Sequence, residues 1–184
     1  MDPRLSNKLI LLRRFTLLDA TLVQALAGDR AVADTTLNIP HPYPDGAAEQ
    51  WIATHDSQFG QATGAVFAVT TRPDLVLVGC IGIRIDRSRD EGEIGYWIGR
   101  PFWGRGYGTA ALQVFLPYCF GHLGLQRVQA RHLKRNLASG RVIEKAGMRR
   151  ERAFREHNAK SGSEEDMVMY GLLRDEVSLT KQCS

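Results

Sequence analysis

Gly104, Gly106 and Gly108 alternate in "WGRGYGTAALQVF", between a run that reads like a strand and one that reads like a helix. Glycines there let the backbone turn tightly and bring the N–H groups of Arg105, Gly106, Tyr107, Gly108 and Thr109 to a helix N-terminus. Unpaired amides and the positive end of the helix dipole together attract an anion, above all a phosphate. A plain strand-to-helix connection would use the same residues, so the context must decide. Two familiar phosphate loops do not fit. G-x-G-x-x-G is not completed, "RVQARHLKRN" supplies bases where an acid should end the next strand, and G-x-x-x-x-G-K-[ST] is absent.

Between Arg127 and Lys160 eleven Lys or Arg face three Glu, a local charge of +8 in a chain of net charge +4. A solvated basic face, a nucleic acid and a phosphate-rich ligand would each account for it. Cys80, Cys119 and Cys183 are odd in number, with no C-x-x-C or ligand spacing, which predicts spectator thiols in a reducing cytoplasm. Five histidines lack H-E-x-x-H or any other ligand spacing, so no metal is expected. Hydrophobic residues at 43% and charged residues at 24% match an ordinary folded protein, and 184 residues suit one domain over 1–184. The apolar run near the start is flanked by Arg13 and Arg14, and no uncharged run is long enough to span a membrane, so neither export nor a membrane span is expected.

The elements that must position the glycine turn follow from periodicity. Lys8 to Arg14 predicts a first strand, Asp19 a helix cap, and Asp45 the cap of a helix whose Trp51, Ile52, His55 and Phe59 share a face, after a loop stiffened by Pro40, Pro42 and Pro44. His55 reads there as a half-buried core residue. "AVFAVTT" and "LVLVGCIGIRID" predict a hairpin, the second strand central. "EIGYWIG" alternates, with Glu93, Gly95 and Trp97 on one face and Ile94, Tyr96 and Ile98 on the other. A helix follows Gly106, which Pro117 should kink or end. "RVQARHL" is a strand, "NLASGRVIEKAGM" a helix stopped by Gly147, and "MRRERAFREH" with "EEDMVMYGLL" a final hairpin. The sum is one α/β unit.

In this order the segments resemble the GNAT superfamily of N-acetyltransferases. The residues that carry the likeness are the strand entering "RPFWGRGYGTAAL" through Ile98, and "NLASGRVIEKAGM" at the next strand-to-helix junction. The superfamily turn is written R/Q-x-x-G-x-G/A; here Trp103 holds its first position, as in the ribosomal-protein-alanine N-acetyltransferase branch, which "NIPHPYPDGAAEQWI" and "FREH…D…LLRDE" also suggest. Met148 stands where an aromatic residue often follows K-x-G, and Pro117 interrupts the helix. The likeness spans nearly the whole chain. It implies a mixed, mostly antiparallel sheet of about seven strands flanked by about four helices, with central strands splayed around acetyl-CoA.

The resemblance further implies that Trp103, Gly104, Arg105, Gly106, Tyr107, Gly108 and Thr109 hold the cofactor's phosphates, that the backbone of Trp97 and Ile98 pairs with its amide arm, and that Asn136, Ser139 and Lys145 close on it. Transfer of acetyl to an amine needs a deprotonated nucleophile, a stabilised oxyanion and a proton for the departing thiolate. Glu93 is the candidate base, against a merely structural carboxylate; the Ile98 N–H would serve the oxyanion; Ser139 is the candidate proton donor, against a capping or cofactor-contacting serine. Tyr43 and Trp51 are candidates for gripping the acceptor. At pH 7 an α-amine costs about 1.4 kcal/mol to deprotonate and a lysine about 4.6 kcal/mol. The easier task favours a protein N-terminus as acceptor, with a ribosomal protein as the candidate partner. A small amine and a non-catalytic acetyl-CoA-binding or RNA-associated module stay open, as does a monomer or homodimer; nucleic acid is the less favoured partner.

Overall fold

The structure, a computed structural model, describes residues 5–180. Eight strands form one sheet: β1 (Leu5–Ser6), β2 (Ile10–Arg13), β3 (Gly64–Thr71), β4 (Leu77–Asp86), β5 (Glu91–Ile98), β6 (Arg127–Leu133), β7 (Arg149–Asn158) and β8 (Ser163–Leu173). Their order across the sheet is β1-β2-β3-β4-β5-β6-β8-β7, and every neighbouring pair is antiparallel except β5 with β6. The mostly antiparallel sheet therefore matches the expectation, its eighth strand being the two-residue β1.

Seven helices stand among the described residues: α1 (Ala20–Ala27), α2 (Arg30–Ala33), α3 (Ala47–Ala53), α4 (His55–Gly60), α5 (Tyr107–Gly121), α6 (Leu137–Lys145) and α7 (Arg174–Thr180). The count exceeds the expected four largely because both early helices are broken. Gly28 closes α1, and Asp29 opens α2 by accepting from the Ala31 N–H at 2.7 Å. Between α3 and α4, Thr54 donates its hydroxyl to the Trp51 carbonyl at 2.7 Å.

Of the two expected acidic caps, Asp19 stands at the N-cap position of α1 but makes no side-chain capping bond, and Asp45 is corrected. Asp45 accepts from the Gln24 amide at 2.9 Å, and Gly46, at φ +75°, starts α3 instead. Asp19 precedes α1 but turns back to accept from the Thr16 N–H and from the Arg13 guanidinium at 2.7 and 2.8 Å. Burial would raise its carboxyl, but Arg13 and Thr16 outweigh it and hold it below the usual carboxylate range. Pro117 neither ends nor shortens α5, which continues to Gly121.

Alternation along the strands sends apolar side chains to both faces of the sheet. On one face, Ile94, Ile81, Ile83 and Val128 pack against Leu112, Phe115 and Leu116 of α5 and Ile143 of α6. On the other, Trp97, Cys80, Leu77 and Ala68 meet Val23 and Ala27 of α1 and Ala48 and Ile52 of α3. β4 is buried along most of its length, as a central strand flanked on both faces must be.

Candidate active site

The parallel pairing of β5 with β6 runs from Glu91 opposite Arg127 to Ile94 opposite Ala130 and then stops. Beyond that point Gly95 to Ile98 pair with β4 alone, and Arg131 to Leu133 with β8 alone. A fork thus opens in the middle of the sheet, with unpaired backbone on its walls. Ladder groups alternate along a strand. The Gly99 N–H donates to the Val78 carbonyl at 2.8 Å, so Gly99 and, two residues back, Trp97 direct their backbone groups toward β4. Tyr96 and Ile98 direct theirs into the fork. Of the two residues expected to offer backbone there, Ile98 has the open edge; Trp97 spends its backbone on β4 and buries its indole in the second core. The Ile98 carbonyl is covered by the Trp103 indole N–H, which donates to it at 2.6 Å.

The chain then passes through a 3-10 turn, Arg100–Phe102, into the glycine turn at the head of the fork. Gly104 at φ +75° and Gly106 at φ +81° occupy the left-handed region, where a side chain is strained. No atom lies within 4 Å of a Cβ placed on Gly104, and Gly106 would meet only Leu9 Cδ2 at 3.9 Å, so the space outside the turn is free. Gly106 is the N-cap of α5, leaving the first-turn amides of Tyr107, Gly108 and Thr109 without intrahelical acceptors. Arg105 is exposed, its guanidinium 5.9 Å from the centre of the Phe102 ring. Gly108 is buried for a packing reason: its Cβ position lies 3.4 Å from Val142 Cγ1 and 3.6 Å from Tyr96 Cε2. The start of α5, the α6 helix and the Tyr96 ring therefore meet at one point.

Asn136 caps α6, its Oδ1 accepting from the Ser139 N–H at 3.2 Å. The Ser139 hydroxyl is thereby left out of the cap and bonds to the Tyr96 hydroxyl at 2.7 Å. Tyr96 also donates to the Ser139 carbonyl at 3.3 Å, and burial pushes its pKa up to about 12 although Ser139 opposes the shift. Sequence reading placed Tyr96 on the Ile94 face but gave it no role; the available signal was a polar aromatic residue on that face, which the structure sets two residues past the end of the β5–β6 pairing. Lys145 is exposed in the last turn of α6, about 13.5 Å along the helix from Asn136.

Glu93 lies just inside the end of the β5–β6 pairing, on the face away from Ile94. Its carboxylate accepts from Arg131 Nε at 2.8 Å and from Arg84 Nη2 at 3.4 Å. Arg131 is shared with Glu156 of β7, and although burial alone would lower its pKa, the two carboxylates raise it. A row of alternating charge so crosses strands β4, β5, β6 and β7. Each carboxylate oxygen retains a second lone pair for water or an amine.

Tyr43 and Trp51 belong to the other end of this face. Tyr43 packs over Gly28, and burial raises its phenol. Trp51 packs edge-on against His55, centroids 4.4 Å apart, and against Phe15 at 5.2 Å. His55 is fully a core residue at 4% exposure, more buried than expected, with both ring nitrogens unpartnered. Opposite them the β7–β8 turn reaches over: Lys160 Nζ donates to the carbonyls of Ala33, Thr36 and Ile39 at 2.5, 2.7 and 3.2 Å. One ammonium thus pins the final hairpin to the loop that leads into "NIPHPYP".

Among the described residues no helix is long and apolar enough to cross a membrane, and no group of three His, Cys, Asp or Glu could hold a metal. The acetyltransferase (GNAT) domain family matches residues 10–149. The uncharacterized N-acetyltransferase p20 of Bacillus licheniformis is 29% identical over 111 residues, 60% of this chain and 62% of that protein. YdaF of Bacillus subtilis (strain 168), by name a candidate ribosomal N-acetyltransferase, is 36% identical over 104 residues, 56% of this chain and 57% of its own. The chain thus aligns with about three-fifths of the length of each. A crystal structure of a GNAT-family acetyltransferase from Bacillus anthracis superposes with a TM-score of 0.81 at 25% identity, over 94% of this chain and 99% of that one. With a forked sheet, a glycine turn heading α5 and a family match over most of its length, the chain belongs to the GNAT acetyltransferase family.

Proposed function

We propose that this protein transfers acetyl from acetyl-CoA to a primary amine by direct attack, and that the amine is the free α-amino group of a protein chain. The observation that carries the reading is the fork between β5 and β6, headed by the N-termini of α5 and α6 together. Free amides of Tyr107, Gly108 and Thr109, beside a turn whose Cβ positions are empty, suit a pyrophosphate, with Arg105 adding charge. The open edge of Tyr96 and Ile98 suits an amide arm laid down as a further strand. Acetyl-CoA would supply the activated acyl group. Glu93 draws a proton from the amine directly or through water, the Ile98 N–H faces the developing oxyanion, and Ser139 gives a proton to the departing sulfur.

The acceptor reading rests on Lys160 pinning residues 33–39, where the loop stiffened by Pro40, Pro42 and Pro44 begins, since a stiff wall lowers the ordering cost of gripping an extended peptide end. The name of YdaF points the same way, toward a ribosomal protein. Cys80 and Cys119 are buried free thiols, which fits a reducing cytoplasm. CoA release by the purified chain across panels of peptides and small amines tests the reading. Release with peptides that have free N-termini is expected; release with neither panel would refute it.

A further inference from the structure

The Tyr96–Ser139 bond joins residues 43 positions apart and spans the fork from β5 to α6. Nothing in the local fold requires it. The N-terminus of α6 is already capped by Asn136, and the Tyr96 ring already packs against Gly108, its Cε2 3.6 Å from that residue's Cβ position. A first-turn serine free of capping duty would rotate among its staggered rotamers; at 2.7 Å the phenol fixes it in one. The two hydroxyls can share protons in one useful way. The phenol's single proton has two acceptors on Ser139, the carbonyl at 3.3 Å and Oγ at 2.7 Å; given to the nearer Oγ, it leaves the serine's own proton free to point away from Tyr96.

We propose that Tyr96 is the positioning residue for Ser139, holding the serine hydroxyl with its proton aimed at the departing sulfur. The inference rests on the reading of Ser139 as proton donor. In the step concerned, the amine nitrogen attacks the thioester carbonyl carbon; the C–N bond forms, and the C–S bond breaks with its electron pair on sulfur. The Ser139 proton passes to sulfur and Oγ regains a proton from water, the phenol keeping its own proton and its bond to the serine. The proton shed by the amine goes to Glu93 or water. Like any phenol, Tyr96 is protonated and able to donate at neutral pH, and burial strengthens that preference.

Tyr96→Phe keeps the ring in place and removes only the hydroxyl. With acetyl-CoA and a peptide acceptor, Tyr96→Phe is expected to lower kcat about tenfold, part of the 10²–10⁴ that general acid catalysis supplies, while acetyl-CoA affinity by calorimetry stays within about twofold. The Tyr96→Phe/Ser139→Ala protein is expected to be no slower than Ser139→Ala alone, since Tyr96 acts through Ser139. A second readout needs no acceptor. Ultraviolet titration of the CoA thiol bound to the protein should show it ionising at higher pH in both single variants than in the native chain, because a lost hydroxyl donor no longer stabilises the thiolate. Native kcat or native thiol titration in Tyr96→Phe, with Ser139→Ala impaired, would overturn the positioning role alone. So would independent, multiplying losses in the double variant, or a loss of acetyl-CoA affinity without a fall in kcat. Native behaviour of Ser139→Ala would overturn both the proton-donor reading and this inference.

Discussion

At Glu93 the charges around the carboxylate decide what it can do. Arg131 and Arg84 orient it and occupy one lone pair on each oxygen. As a base it must work with the lone pairs that remain, so Glu93→Gln should lower kcat about a hundredfold while acetyl-CoA affinity is kept, and should flatten the acid limb of the pH profile. Steady-state kinetics across pH would check it; native turnover in the variant would return Glu93 to the role of a structural ion-pair partner. His55 makes a separate prediction about stability. Burial, helped by Arg14 and opposed by Asp56, lowers its pKa from 6.5 to about 4. Between those values the unfolded chain binds a proton that the folded chain refuses, so stability is complete above about pH 6.5 and falls as pH drops toward 4, by up to about 3 kcal/mol. His55→Phe suits the same aromatic cluster and should flatten that part of the Tm-against-pH curve in thermal melts.

The glycine turn and the Lys160 latch are devices of whole elements. Gly106 begins α5 at φ +81° with open space around its Cβ position. Gly106→Ala therefore tests the backbone alone, at a strain of about 1–2 kcal/mol, whereas Gly106→Val also puts bulk where an anion would approach. Calorimetry should show acetyl-CoA affinity modestly reduced in the first and at least tenfold weaker in the second, both proteins remaining folded. Lys160→Met should free the β7–β8 turn from residues 33–39, costing about 1–3 kcal/mol for the lost charge-assisted bonds, with faster amide hydrogen exchange in that loop. The elements themselves were legible wherever period and length agreed: the alternation around Ile94, Tyr96 and Trp97 and the start of the helix after Gly106 stand as read, although that helix runs on through Pro117. The breaks at Gly28 and Thr54 were not, because a side-chain bond to a neighbouring backbone group decides them. Asp45 was misread as a cap because its carboxylate found Gln24 outside its own helix, and Asp19, though at the N-cap position of α1, gives its carboxylate to Arg13 instead of the helix.

Across the whole molecule, the two sheet faces divide the work. One carries α5 and α6 and heads the fork with two helix N-termini; the other bears the row from Arg84 through Glu93 and Arg131 to Glu156, with α1 and α3 beside it. Local sequence pointed to the first function, since glycines before a helix announce an anion site. The Tyr96–Ser139 bond and the Lys160 latch depend on contacts 43 and more than 120 positions apart, which no local pattern encodes. Acetyl transfer to a protein α-amine is the claim these features combine to make. Its most direct test is mass spectrometry of a diverse peptide set, each peptide with a free N-terminus and an internal lysine, incubated with the full chain and acetyl-CoA. The expected result is a single acetyl group on the α-amine, lost in Gly106→Val; acetyl found only on lysine side chains, with every N-terminus untouched, would contradict it.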